Sequence, residues 1–200
     1  MHLSTDNHSP DWAVEAESKE SKVSLTSDGS IDIIAPKGLT LWYKRQMQGN
    51  VIIEYDAQIV VEEHNNNTWN RLSDLNCFWQ ATDPKQKDGS VLRGIPKRKG
   101  IFANQYALSL YYMGYGGNYN STTRFRRYNG NENGVKDPSF RPAILREYTD
   151  PGHILKPNHW YHIRLEQHFG HVRYIIDGEC IVDYLDIRPF YRGFFGFRTT

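Results

Sequence analysis

Between Tyr111 and Tyr128 the chain reads Tyr-Tyr-Met-Gly-Tyr-Gly-Gly-Asn-Tyr-Asn-Ser-Thr-Thr-Arg-Phe-Arg-Arg-Tyr, with tyrosines, asparagines and three arginines close together. Tyrosine and arginine offer flat faces with hydrogen-bonding edges, and an asparagine amide is donor and acceptor at once. A guanidinium also receives a carboxylate through two parallel bonds. This chemistry suits a ligand rich in hydroxyls and carrying carboxylates. Turn formation accounts for the glycines and asparagines but not for the arginines.

Alternation along strands separates the side chains that could face such a ligand from those that fill a core. Around Cys77, the set Leu75, Cys77, Trp79, Ala81 is apolar, so Asp74, Asn76 and Gln80 are expected on the ligand face. Phe125 as a core residue places Arg124 and Arg126 together on that same face. Leu108 and Leu110 as core residues turn Ser109 and Tyr111 outward beside the arginines, and the opposite parity would present Tyr112 instead. Tyr115, Asn118, Tyr128 and Arg146 complete the expected binding set. For 143–148 the pattern is open: Leu145 as core carries Glu147 inward, and Ile144 as core carries Arg146 inward.

Two reactions fit these residues. In a lyase, Arg124 and Arg126 would neutralise a uronate carboxylate while Tyr111 or His64 removes the adjacent proton. In a hydrolase, Asp74 and Glu147 would be the two carboxyl groups required. Simple binding uses the same surface without a proton-transferring group. His159 and His162 are spaced so that they do not share a strand face, and no metal site is assigned. The Asn and Asp side chains from Asn65 to Asn76 could ligate calcium through oxygen, although their spacing matches no loop of known geometry.

The elements that must position these residues are strands. Tyr161, Ile163 and Leu165 alternate with His162, Arg164 and Glu166, the pattern of a half-buried strand. Val172–Ile176 and Glu179–Asp183 flank Asp177-Gly178, a pair that favours the two-residue hairpin turn in which both central residues have positive φ. A long strand is expected over 51–61, with others at 12–17, 23–26, 31–35, 39–43, 75–81, 106–113, 122–128, 143–148 and 193–198. Without a convincing helical period, the chain predicts an all-β, two-sheet antiparallel sandwich of the jelly-roll kind. A flexible segment over 1–11 precedes a single domain over 12–200. The irregular segments 62–74, 84–105 and 130–142 are long for loops and are expected to carry function.

The run Asn158-His159-Trp160-Tyr161-His162-Ile163, the Asp177-Gly178 hairpin and the ending Gly193-Phe194-Phe195-Gly196-Phe197-Arg198 resemble the last third of concanavalin-A-like jelly rolls. Asn76-Cys77-Phe78-Trp79-Gln80-Ala81, Arg124-Phe125-Arg126-Arg127-Tyr128 and Leu145-Arg146-Glu147 are similar to motifs of bacterial jelly-roll domains encoded beside rhamnogalacturonan- and other polysaccharide-degrading enzymes. The resemblance implies a sandwich fold and a polysaccharide or oligosaccharide partner, and no catalytic assignment. The Gln-Ile-His and Tyr-Phe-Lys-Ala-Gly pieces of alginate-lyase-like chains are absent, as is a laminarinase-like Glu-x-Asp-x-x-Glu run.

Composition narrows the partners further. The formal charge of +1 provides no electrostatic footprint for nucleic acid, and no apolar stretch approaches the roughly 18 residues of a membrane span. Aromatic residues make up 14% of the chain against 38% hydrophobic overall, which favours strands and clefts over long helices. Cys77 and Cys180 lie in apolar strand contexts and are expected as unbridged, buried thiols. Lys97-Arg98-Lys99 reads as a solvated loop. The first twenty residues contain no apolar signal core; the polysaccharide reading nonetheless carries the expectation of a periplasmic or extracellular setting.

Overall fold

The computed structural model describes the backbone of residues 2–3 and the whole of residues 9–200. Positions 1 and 4–8, most of the segment expected to be flexible, lie outside the described residues. In chain order the strands are β1 (His2–Leu3), β2 (Trp12–Ala16), β3 (Lys22–Leu25), β4 (Ile31–Ile34), β5 (Leu39–Tyr43), β6 (Met47–Gln48), β7 (Val51–Ala57), β8 (Leu75–Thr82), β9 (Ser109–Gly116), β10 (Thr122–Asn129), β11 (Ile144–Tyr148), β12 (Tyr161–His168), β13 (His171–Ile176), β14 (Glu179–Leu185) and β15 (Arg192–Thr199). The large sheet is ordered β11-β10-β9-β8-β15-β5-β2, with β6 joined to the start of β15. A four-stranded sheet, β14-β13-β12-β7, faces it, and β1-β3-β4 form a small third sheet. All pairings are antiparallel, as expected for a jelly-roll sandwich.

The four-stranded sheet follows its sequence pattern closely. Along β12, Tyr161, Ile163, Leu165 and Gln167 are buried while the residues between them face outward. The outward charges pair across strands, His162 Nδ1 with Asp56 Oδ1 at 2.8 Å and Arg164 with Glu54 at 2.5 Å. Asp177 and Gly178 close the β13–β14 hairpin with φ of 51° and 86°, the positive values that this turn needs. In contrast, the strand expected over 51–61 ends at Ala57, and the one expected from residue 106 begins at Ser109 after a 3-10 turn, Phe102–Ala107.

The large sheet is buried on both faces in its middle. Its inner face contributes Cys77, Trp79, Tyr111, Phe125 and Phe195 to a core shared with Ile163, Leu165, Val172 and Tyr174 of the facing sheet. Its outer face sets Trp42, Phe78, Leu108, Leu110 and Tyr128 against Ile95, Phe102 and Tyr106. The covering layer is the segment expected to be a loop, folded into α1 (Ile95–Arg98) and short 3-10 turns. Strands covered on both sides lose the polar alternation that marks a solvated face.

A buried ion pair fixes this layer to the sheet. Glu15, fully buried on β2, accepts from Trp42 Nε1 at 2.9 Å, Arg98 Nη2 at 2.8 Å, Gln105 Nε2 at 2.7 Å and the Gly100 amide at 3.2 Å. Arg98 is therefore a buried anchor and not part of a solvated basic loop; only such complete pairing permits a carboxylate to sit there. Cys77 is buried and unbridged as expected, whereas Cys180 is exposed. A register shift in the β13–β14 pairing sets Cys180 opposite Ile175, on the solvent side, while Ile181 and Val182 both turn inward. Among the described residues, no helix is long and apolar enough to cross a membrane.

Candidate functional site

Strand register aligns a row of residues across the outer face of the large sheet. Glu147 pairs with Arg124, Arg124 with Gly114, Gly114 with Asn76, Asn76 with Arg198, Arg198 with Thr40, and Thr40 with Glu15. The adjacent row runs through Arg126, Tyr112, Phe78, Gly196 and Trp42. One row is polar and its neighbour is mainly aromatic. Toward β2 the polar row is sealed: Arg198 is 2% exposed, donates to the Gly100 carbonyl at 2.6 Å and lies over the Phe102 ring at 5.5 Å.

Toward β10 the row is open, and a cavity of about 290 Å³ stands over Gly114. Asp74, Asn76, Tyr112, Arg124 and Arg126 line it from the sheet, with Phe102, Tyr106, Asn118 and Thr200 around its walls. Gly114 supplies no side chain, and Tyr112 leans along the strand into that space. A Cβ at position 114 would fall 2.8 Å from Tyr112 Cζ and closer still to the hydroxyl. That hydroxyl has no hydrogen-bond partner among the described residues.

The charged groups of the cavity differ in how far they are committed. Arg124 is held by Glu147 at 2.5 Å at the sheet edge. Arg126 donates to the Pro142 carbonyl and has no carboxylate partner among the described residues. Asp74, in the left-handed region at φ 61°, is half-buried, and burial raises its carboxyl above the ordinary 3.8 against the opposing effect of hydrogen bonds from Asn76, Ser73 and Thr200. Asn76 is 5% exposed and its Oδ1 lacks a partner. An unpaired buried acceptor costs about 1–3 kcal/mol.

Of the residues expected at the site, Asp74, Asn76, Asn118, Arg124 and Arg126 are brought together, and Glu147 borders them through Arg124. Tyr111 and Tyr115 are corrections: both face the inter-sheet core. Tyr111 donates to Asp186 at 2.7 Å and accepts from the Phe190 amide, and burial raises its phenol well above the usual range. The reason is that Leu108 and Leu110 are buried against the helical layer and not between the sheets, so Tyr112 takes the ligand side. Gln80 is also displaced. A bulge between Trp79 and Thr82 puts it at φ 48°, fully buried, donating to the Gly49 carbonyl at 3.4 Å.

Tyr128 is buried behind Tyr112 and Tyr106, outside the cavity. Arg146 lies opposite Phe125 and its guanidinium stands over the Tyr148 ring at 5.4 Å, outside the cavity lining. Neither Ile144 nor Leu145 is core, because β11 is an edge strand exposed along most of its length. His64 lies exposed in a loop and does not line the cavity. The amides expected as calcium ligands are used locally: Asn70 bonds the backbone of Glu62 and Asn65, and Asn65 bonds Glu62. Among the described residues no group of three His, Cys, Asp or Glu is placed to hold a metal. Periodicity alone does not single out Gly114, Arg198 or Thr200 and offers Tyr112 only as the alternative parity; a glycine interrupting a strand is the signal that points to Gly114.

The sheets and their order define an all-β jelly-roll sandwich. Within that class, residues 33–200 match the family model described as "Domain of unknown function (DUF6250)", and the chain belongs to that family. A Bacillus subtilis protein of unknown function with a galectin-like fold is similar over 100% of this chain and 88% of its own, at 16% identity and a TM-score of 0.66. The carbohydrate binding module CBM66 of Bacillus subtilis aligns over 94% of this chain and 86% of its own, at 13% identity and a TM-score of 0.52. The Bacillus licheniformis beta-glucanase aligns over 100% and 83%, at 10% identity and a TM-score of 0.53. No curated protein matches. At these identities the likeness is one of fold.

Proposed function

We propose that this domain binds the acidic end unit of a polysaccharide or oligosaccharide in the cavity over Gly114. The observation that carries the reading is Arg126, a guanidinium in the cavity wall with a backbone carbonyl as its partner and no carboxylate. Its remaining donors suit a uronate carboxylate, and the Asn118 side chain on the cavity wall suits ring hydroxyls. That a carbohydrate binding module and a beta-glucanase share the fold supports a sugar ligand. The cavity is blind toward Arg198 and sits at the small end of the roughly 300–1,000 Å³ of ligand pockets, which favours a chain end over a chain passing through.

Cleavage is a second reading, favoured by Asp74. A carboxyl kept protonated above its ordinary range by burial can donate a proton to a leaving oxygen. Glu147 would be the second carboxylate of a hydrolase, once released from Arg124. Reducing-sugar release from acidic oligosaccharides, lost in Asp74→Asn, is the result expected of that reading.

Calorimetric titration with galacturonate, glucuronate and mannuronate beside galactose, glucose and mannose tests the binding reading. The acidic member of a pair binds more tightly, and Arg126→Ala loses a charge-assisted contact of about 1.5–3 kcal/mol, about tenfold to hundredfold in affinity. Equal binding of acidic and neutral sugars, or an unchanged Arg126→Ala, overturns it.

A further inference from the structure

Beside the cavity, the 117–120 turn carries a residue that its backbone geometry does not need. Asn118, Tyr119 and Asn120 follow one another at φ of 52°, 57° and 57°, after Gly116 at 69°. Left-handed backbone costs an L-residue about 1–2 kcal/mol, and asparagine tolerates it far better than tyrosine. The turn is held by its flanks: Asn120 donates to the Leu155 carbonyl at 2.9 Å and accepts from the Leu155 amide at 2.8 Å, and Asn118 bonds Ser121 at 3.0 Å. Tyr119 takes no part in this clamp and is 77% exposed. Glycine or asparagine would make the same turn at lower cost, so the turn itself does not require the tyrosine. Strain held in place by its surroundings is a mark of ligand sites.

The ring has one neighbour of consequence. The Arg71 guanidinium lies 4.8 Å from its centroid and donates to the Thr200 carbonyl at 3.4 Å. Thr200 and Asn118 both line the cavity, so the Tyr119–Arg71 pair adjoins two of its lining residues, one by hydrogen bond and one along the chain. We propose that this pair is a second subsite, a platform on which the next sugar unit stacks when the end unit occupies the cavity. The proposal rests on the reading of the cavity as a sugar site and adds a preference for oligosaccharides over monosaccharides.

Titration with mono-, di- and trigalacturonate tests it. Wild type gains about three- to tenfold in affinity from one unit to two or three. Tyr119→Asn, which suits the left-handed turn and removes the ring, keeps the monomer affinity and loses that gain, while Tyr119→Phe keeps both. Circular dichroism melts of Tyr119→Asn at or above the wild-type midpoint show that the turn is intact. A full chain-length gain in Tyr119→Asn overturns the platform. Monomer binding by wild type without any chain-length gain overturns it while the cavity reading stands, and failure of wild type to bind any of the three overturns both.

Discussion

Tyr112 lies along its own strand so that its hydroxyl stands where the side chain of residue 114 would be, and Gly114 is the gap that admits it. The site is made by one residue's reach and its neighbour's absence. Asn76 and Arg124 are the strand partners of Gly114 on either side, so the ring reaches into the polar row at the one position that has no side chain.

Gly114→Ala is therefore expected to displace the Tyr112 ring and close the cavity, with a destabilisation of about 1–3 kcal/mol from overpacking. Sugar affinity falls by at least about tenfold. Tyr112→Phe removes the nearest atom, so the double variant is less destabilised than the sum of the singles. Urea unfolding of the four proteins measures this coupling, and strict additivity would contradict the contact.

Asp74 links the site to pH. Its native pKa is raised above 3.8 by burial, so the ionised form costs stability that the protonated form does not. The cost is absent below the unfolded pKa and is incurred as pH rises through the higher native one. Asp74→Asn, which cannot ionise, is thus expected to gain on wild type over that window and hold a constant difference above it. Denaturant melts from acid to neutral pH check this; a difference independent of pH would show the carboxyl to be unperturbed.

The Glu15–Arg98 pair is expected to be critical to stability. Glu15→Gln leaves Arg98 buried with Asp83, at 3.8 Å, as its nearest remaining carboxylate, and breaking a buried pair from one side costs about 3–5 kcal/mol. Against a total of about 5–15 kcal/mol for a domain, that is a large loss. A fall in the urea midpoint with loss of the near-ultraviolet signal of Trp42 is the expected outcome.

The thiols should separate cleanly. Cys77 is buried and its thiol is pushed up to about 12 by burial, while Cys180 is exposed. Alkylation at pH 8 followed by mass spectrometry is expected to label Cys180 in the native protein and Cys77 after denaturation. Native labelling of Cys77 would contradict the core assignment.

Much of the framework is legible in the residues themselves. The alternation of β12 and the Asp177-Gly178 turn are local signals, and both strand and hairpin stand where these put them. Phe125 between Arg124 and Arg126 places the two arginines on one face, and the cavity receives both. The choice between Tyr111 and Tyr112 was of another kind. Alternation identifies the core only where one face meets water, and β9 is apolar on both because residues 91–107 fold over its outer side. Gln80 was lost to a bulge, which reverses parity without changing composition. The row from Glu147 to Asn76 joins residues far apart in the chain through strand register, which long-range pairing sets. A periodicity reports which residues share a strand face; which face is covered, and what lies alongside in the next strand, depends on segments distant in sequence.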